Sequence, residues 1–181
     1  MECKRIIISF GVIFMSVRGS PAAGLGSGME IEKQHAVHVH LVQTALDRSA
    51  FYKAMEENNK ALVNAELEEL KTAPESLKPA FMGTMLMKRA SFSGSPSSKL
   101  HYFKEGHILL EGAIKKNPDN VEYRFMRLMI QEHAPGVLGY KENIENDCEY
   151  IRKYYKSLPV EVQHAIGDYN KKSKVLKLDV S

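Results

Sequence analysis

The polar residues best suited to chemistry lie in two consecutive stretches of the chain. Arg124, Arg127 and Gln131 recur at steps of three and four residues, so they share one side of a helix. Asn143 and Asp147 repeat the four-residue spacing in the next helical stretch. Guanidinium groups favour bidentate contact with carboxylates and phosphates. Two hypotheses follow. Either these five residues bind a small anionic ligand in a groove, or Asp147 pairs with the arginines and fixes the helix pair.

Histidines are the candidates for metal binding and for acid–base catalysis. His35, His38 and His40 cluster near the N-terminus. Zinc requires three or four converging ligands, and neither an HExxH motif nor a pair of nearby cysteines accompanies them. A solvated segment is the favoured interpretation, and no metal site is predicted. His107 lies on an apolar stripe, which is more typical of a core histidine than of a catalytic one.

Nucleophilic chemistry has little support in the sequence. Cys148 lies on the apolar face of a predicted helix with no histidine near it, which favours a buried structural thiol. No P-loop, GxSxG or GxGxxG pattern occurs. An enzyme is therefore the least favoured class, and no cofactor is predicted. Met82, Met85 and Met87 supply soft apolar surface, either for core packing or for adaptable binding.

Composition is that of an ordinary globular domain. The chain has 181 residues, of which 44% are hydrophobic and 26% are charged, with a net charge of +3. Such a small charge does not favour a nucleic-acid partner. A chain of this length can bury a sufficient core without a disulfide.

The N-terminus has the pattern of a secretory signal peptide. Lys4 and Arg5 precede residues 6–15, which are apolar apart from a serine and a glycine, and small residues follow. The run is shorter than the roughly 20 apolar residues of a transmembrane helix, so no membrane span is expected after cleavage. We expect an exported protein, periplasmic or secreted. Cleavage or retention of the signal stays open. The predicted organisation is a signal peptide over 1–22, a flexible lead-in over 23–35, a helical domain over 36–173 and a tail over 174–181.

Periodicity from residue 36 onward predicts an all-α fold of antiparallel helical hairpins joined by short loops. Residues 36–47 are predicted to form a first helix, although residues 38–41 also alternate like a strand. In the middle of the chain we predict an N-cap at Ser49, a break at Asn58 and Asn59, a helix end near Thr72, a helix start near Ser76 with Pro79 in its first turn, and a loop over residues 91–98. Further on we predict a stop at Asn117 and Pro118, a helix end at Ala134 to Gly136, a helix start at Tyr140 and a last helix from Pro159 to about Lys172. Gly106, Gly112 and Ala113 are small, which predicts close approach of a neighbouring helix.

Part of this pattern resembles a tetratricopeptide repeat. Gly106, Leu110, Ala113 and Pro118 have the spacing of the second helix and closing proline of one repeat, and EGAIKKNPDNVEYRF resembles the junction between two. The next repeat is matched poorly, because Arg124 stands where an aromatic residue is expected. The resemblance implies an array of helical hairpins, and such arrays form concave binding surfaces.

A longer stretch, residues 99–147, resembles a family of uncharacterised exported helical proteins of Gram-negative bacteria. The shared phrases are LLEGAIKKNPDNVEYRFMRLMIQEHAP and LGYKENIEND. This resemblance implies an all-helical fold and a cell-envelope address, without a mechanism. We therefore expect a binding or scaffolding module for protein or peptide partners, with the anionic-ligand groove as the alternative. Oligomeric state stays open.

Overall fold

The structure is a computed structural model and describes residues 46–179. This part of the chain is helical without strands, which confirms the predicted all-α class. The elements are α1 (Arg48–Glu56), α2 (Lys60–Glu69), α3 (Lys78–Ala90), α4 (Pro96–Lys116), α5 (Val121–His133), α6 (Ile144–Tyr154) and α7 (Val160–Asn170), with 3₁₀ turns at Leu70–Thr72, Gly136–Leu138 and Tyr155–Ser157. The predicted signal peptide, the lead-in, most of the helix predicted over residues 36–47, and His35, His38 and His40 lie outside the described residues.

Side-chain caps set where the first two helices begin. The Asp47 carboxylate accepts a hydrogen bond from the Ala50 backbone nitrogen at 3.0 Å, and the Asn59 side chain accepts one from Ala61 at 2.9 Å. The predicted break at Asn58 and Asn59 is therefore confirmed. The predicted cap at Ser49 is wrong, because Asp47 is the extended residue before the helix and its carboxylate reaches the free backbone N–H.

Helices α3 and α4 form an antiparallel hairpin. Pro79 lies in the first turn of α3, as predicted. Ser95 caps α4 by accepting a hydrogen bond from the Ser98 nitrogen at 3.2 Å, so Pro96 begins the helix. The loop predicted over residues 91–98 thus ends three residues early, because proline at the first helical position suits a helix N-terminus.

The α3–α4 crossing is close because two glycines face each other. A Cβ on Gly83 would lie 2.6 Å from the Gly106 carbonyl oxygen, and a Cβ on Gly106 would overlap the Gly83 carbonyl oxygen. This confirms the close approach predicted at Gly106. The same prediction for Gly112 is wrong, since a Cβ there would meet nothing within 4 Å.

The second half of the domain follows the predicted order with one shifted boundary. Asn120 caps α5 by accepting a hydrogen bond from Tyr123 at 3.1 Å. Helix α6 begins at Ile144, four residues after the predicted start at Tyr140, because the chain has a left-handed φ of 62° at Gly139 and then continues through a turn at residues 142–143 before the helix starts. Helix α7 follows Pro159, as predicted.

Aromatic rings from distant helices meet in the core. Phe51 and Phe81 pack edge to face with their ring centroids 4.7 Å apart, and Phe125 lies 5.6 Å from Tyr52 and 5.5 Å from Tyr169. The three phenylalanines are fully buried. Each such side chain stabilises the fold by about 1.5–3 kcal/mol through burial, so this cluster ties α1, α3, α5 and α7 together.

The last described residues, 174–179, pack against the helices although the sequence predicts a tail. Leu176 is fully buried, and its carbonyl oxygen accepts a hydrogen bond from Arg152 Nε at 2.8 Å. The Asn170 side chain pairs with both backbone groups of Leu178, each at 2.8 Å. The buried Leu176, its partly buried neighbours Val175 and Leu178, and specific polar contacts therefore hold a segment that has no helical periodicity.

The consecutive antiparallel pairs α3–α4 and α5–α6 are compatible with a tetratricopeptide-like arrangement. Among the helices of residues 46–179, none combines the length and apolar character needed to cross a membrane.

Candidate functional site

The five polar residues singled out by spacing do lie between α5 and α6. Arg127 donates to the Asp147 carboxylate through Nε at 2.7 Å and through Nη2 at 2.8 Å. Arg124 Nη1 lies 3.1 Å from Asp147 Oδ1. Asp147 is fully buried, and within the described residues its ion-pair partners are these two arginines. The antiparallel pairing inferred from the short connection is what brings the groups together.

Arg127 has a second carboxylate partner that the sequence analysis missed. Its Nη1 lies 3.0 Å from Glu111 Oε2, and the other Glu111 oxygen accepts a hydrogen bond from the Tyr140 hydroxyl. Burial opposes the charge of Arg127, but the hydrogen bonds and charges of Asp147 and Glu111 outweigh it and raise the arginine pKa. Glu111 comes from α4, so the network joins three helices. Its only sequence signal is a carboxylate next to the buried Leu110.

The Arg124 guanidinium also has protein partners besides Asp147. Its Nε donates to the Pro118 carbonyl oxygen at 2.9 Å, and its guanidinium carbon lies 4.2 Å from the centroid of the Tyr150 ring. The Tyr150 hydroxyl donates to Asp119 at 3.0 Å. Both arginines are therefore closed onto protein groups, which is the arrangement expected of the structural alternative. The anionic-ligand hypothesis for this set stays a prediction without further support from the geometry.

Gln131 and Asn143 complete the set without a strong contact. Gln131 Nε2 lies 3.5 Å from Asn143 Oδ1, at the limit of a hydrogen bond. Gln131 is fully buried, and its Oε1 has no hydrogen-bond partner within the described part of the chain. An unsatisfied buried amide oxygen destabilises a fold by about 1–3 kcal/mol. Gln131 therefore destabilises a cluster in which Arg124, Arg127 and Asp147 all have hydrogen-bond partners.

Two more carboxylates, the buried Glu122 and the partly buried Glu132, hold other parts of the chain and were not identified from the sequence. Glu122 accepts hydrogen bonds from Arg48 at 2.8 and 3.1 Å and from the Tyr52 hydroxyl at 3.2 Å. Glu132 accepts from the Ser173 hydroxyl and the Lys174 backbone nitrogen, each at 2.7 Å. Each carboxylate therefore links helix α5 to a segment distant in the sequence.

His107 and Cys148, the remaining candidates for catalysis, are packed against neighbouring side chains. The His107 ring lies 4.7 Å from the Tyr140 ring, edge to face, and 6.2 Å from the Phe103 ring. Cys148 is buried, and burial raises the pKa of its thiol to about 11, which disfavours the nucleophilic thiolate. Across residues 46–179, no group of three or more His, Cys, Asp or Glu side chains is placed to hold a metal ion.

A different feature has the shape of a binding site. A groove of about 960 Å³ lies where the C-terminal ends of α3 and α5 meet α1, α7 and the start of α4. We call it the interhelical groove. Its apolar lining includes Met55, Met87, Met129, Ile130, Leu100, Phe103, Ala165 and Leu138. Leu100 is 43% exposed, so part of this apolar surface is open to solvent.

Charged side chains line the interhelical groove unevenly. Glu56 pairs with Lys172, and Asp168 pairs with Lys171 at 2.7 Å. Within the described residues, the lining lysines Lys53, Lys88 and Lys99 have no ion-pair partner. Of these three lysines, Lys88 alone is half-buried, and burial lowers its pKa. Unpaired positive charge therefore predominates over unpaired negative charge on this apolar surface.

Of the three methionines noted in the sequence, one lines this groove. Met87 contributes to the lining, whereas Met85 is fully buried in the core and Met82 packs against the core. Sequence periodicity cannot find the groove, because its walls come from five helices spread over residues 48–170.

Comparison with known proteins finds no matching family model, no matching curated protein and no matching solved structure.

Proposed function

We propose that this protein is a binding module of the cell envelope whose recognition site is the interhelical groove, where it takes up the apolar part of a ligand. The observation that carries the proposal is the groove itself. It has a volume of about 960 Å³, a largely apolar lining and an open side. Small-molecule sites have volumes of roughly 300–1,000 Å³ and are mostly apolar with a few placed polar groups.

The character of the lining supports uptake of flexible apolar groups. Met55, Met87 and Met129 all contribute to the groove. Methionine side chains are unbranched and polarisable, so they adapt to ligands of different shape. The side chains are mostly buried by their neighbours, with exposed fractions of 8%, 4% and 8%. They therefore form a floor that is already packed before a ligand arrives.

The size of the groove favours a small molecule or a short segment over the broad surface of a protein partner. A stable protein–protein interface buries about 800 Å² on each partner, which requires a broad surface. The groove instead suits a small molecule or one short apolar segment of a partner. From the helical-repeat resemblance we expect a binding or scaffolding module for protein or peptide partners. The size of the groove leads us to propose a more specific role, the binding of an apolar ligand. The cell-envelope location rests on the N-terminal pattern and on the family resemblance.

A neutral fluorescent probe tests this proposal. N-phenyl-1-naphthylamine fluoresces strongly when it enters an apolar site, and its titration into the protein gives a dissociation constant. We expect saturable binding to the wild type. Ala165→Trp, which places a large ring in the groove, should weaken binding at least tenfold. Ala61→Trp on the exposed side of α2, outside the groove, is the matched control and should bind as the wild type does.

A second groove variant protects this test from loss of folding. Leu100→Gln removes an exposed apolar lining residue and leaves the buried core unchanged, so it should weaken probe binding while the protein stays folded. The proposal is contradicted if the probe shows no saturable binding, or if the groove variants and the control bind it equally well.

A further inference from the structure

The interhelical groove holds one cation whose surroundings differ from those of every other lysine on its walls. Lys88 is half-buried in the last turn of α3, between the buried residues Met87 and Ala90. Lys53 and Lys99 also line the groove, but both are exposed. Charged groups that leave water are normally paired, because removing an ion from water without compensation is costly.

No carboxylate of the described residues pairs with Lys88. Loss of hydration lowers its pKa, and no neighbouring negative charge restores it. The acidic residues on the groove walls do not reach it. Glu56 is occupied by Lys172 and Asp168 by Lys171. Glu161 is exposed, and its negative charge helps to raise the pKa of Arg48.

The surface around Lys88 is apolar. Met87, Ala90 and Met129 are each at least 91% buried, and together with Leu100 and Phe103 they line the same groove. The apolar part of a ligand that enters here would pack against the methionines, and its head would contact the partly dehydrated ammonium group of Lys88. This combination is complementary to a molecule with a hydrocarbon body and a negative head.

We propose that the ligand of the interhelical groove is an amphipathic carboxylate, a molecule with an unbranched alkyl chain whose head pairs with Lys88. This inference rests on the proposed function, because it names the class of ligand for the same groove. An unbranched chain suits a lining of methionines, which can follow its bends. Lys53 and Lys99 are placed to attract the anion before it enters, since exposed charges act mainly by steering.

Competition against the neutral probe tests the choice of ligand. Dodecanoate, dodecanol and dodecyltrimethylammonium share one chain length and differ in head charge. Each is titrated below its micelle concentration against the protein saturated with N-phenyl-1-naphthylamine. We expect dodecanoate to displace the probe at a concentration about tenfold lower than dodecanol, with the cationic compound the weakest. Each added methylene in a carboxylate series should improve displacement up to about fourfold.

Three lysine variants locate the head group. Lys88→Met keeps the length of the side chain without its charge and should abolish the preference for carboxylate over alcohol. Lys88→Arg should retain that preference. Lys104→Met, on an exposed part of α4 outside the groove, is the matched control and should behave as the wild type does.

The outcomes separate the two proposals. If the probe binds the groove but carboxylate and alcohol displace it equally, the ligand class proposed here is wrong and the groove remains a binding site. The same conclusion follows if Lys88→Met keeps the carboxylate preference, or if only an acidic amphipathic peptide displaces the probe. If the probe does not bind and no compound shows saturable binding, both proposals fail.

Discussion

Asp147 offers the sharpest test of what holds the second half of the domain together. Its carboxylate is fully buried and accepts hydrogen bonds from Arg127 at 2.7 and 2.8 Å and from Arg124 at 3.1 Å. Asp147→Asn keeps the shape of the side chain and removes the charge. Arg127, which is 5% exposed, would then keep only Glu111 as its carboxylate partner. Breaking a buried pair on one side destabilises a protein by about 3–5 kcal/mol.

Thermal unfolding converts this magnitude into a shift of the midpoint. For a domain of this size, 1 kcal/mol corresponds to about 3–4 °C, so Asp147→Asn should lower the midpoint by about 10–20 °C. Asp168→Asn is the matched control. It removes the same kind of group from an exposed pair with Lys171, and its midpoint should not shift measurably.

A double substitution refines the same prediction. Replacing both partners of a buried ion pair by apolar residues is often close to neutral, so Arg127→Met with Asp147→Leu should recover at least half of the loss. The structural role is refuted if Asp147→Asn lowers the midpoint by less than about 3 °C. A wild-type midpoint that rises with phosphate or citrate, but does not rise in Arg127→Met, would favour the anionic-ligand hypothesis instead.

Three further substitutions test separate features of the fold. Gly106→Ala should destabilise the protein by about 3 kcal/mol or more in urea unfolding, because the added Cβ would overlap α3. Gly112→Ala, where the added Cβ meets no atom, should be neutral or should stabilise the protein by up to about 1 kcal/mol. Equal effects of the two substitutions would refute the close crossing of α3 and α4. Burial, with Asp47 and Glu69 nearby, raises the pKa of Glu66 from 4.5 to about 7. The protonated Glu66 carboxyl therefore contributes its full stability to the fold below pH 4.5, and this stability is lost as the pH rises through 7. After allowance for screening near the surface, Glu66→Gln should therefore stabilise the protein by about 1–2 kcal/mol at pH 8 and by nothing at pH 4, and a gain independent of pH would contradict this. Gln131→Met removes the unsatisfied amide and should stabilise by about 1 kcal/mol in the same assay, while a loss of more than 1 kcal/mol would show that the amide has a partner.

Features that depend on neighbours along the chain were predictable. Proline, asparagine and glycine mark most helix boundaries, since their effects act within one turn. The pairing of Asp147 with the arginines also followed from local information, because a short connection makes α5 and α6 antiparallel. The start of α6 was missed because Tyr140 continues the four-residue spacing of Ile144 and Cys148, although it lies in the connecting segment before the helix.

Features that depend on three-dimensional proximity were not predictable. Glu111 reaches Arg127 from another helix, and Leu176 is fully buried with its carbonyl oxygen hydrogen-bonded to Arg152 of α6. The interhelical groove has the same origin, because each of its walls belongs to a different helix. Lys88 carries no distinguishing pattern in the sequence. Its proposed role rests on partial burial without an ion-pair partner among residues 46–179, which is a property of the folded chain.

Methionine methyl resonances give the most direct test of the groove as a binding site. With ¹³C-labelled methionine methyl groups, dodecanoate is titrated into the protein and the chemical shifts are followed. The account predicts saturable shifts at Met55, Met87 and Met129, which line the groove, and none at Met126, which is fully buried and does not line it. Shifts confined to other methionines, or no saturable shift at these three, would contradict it.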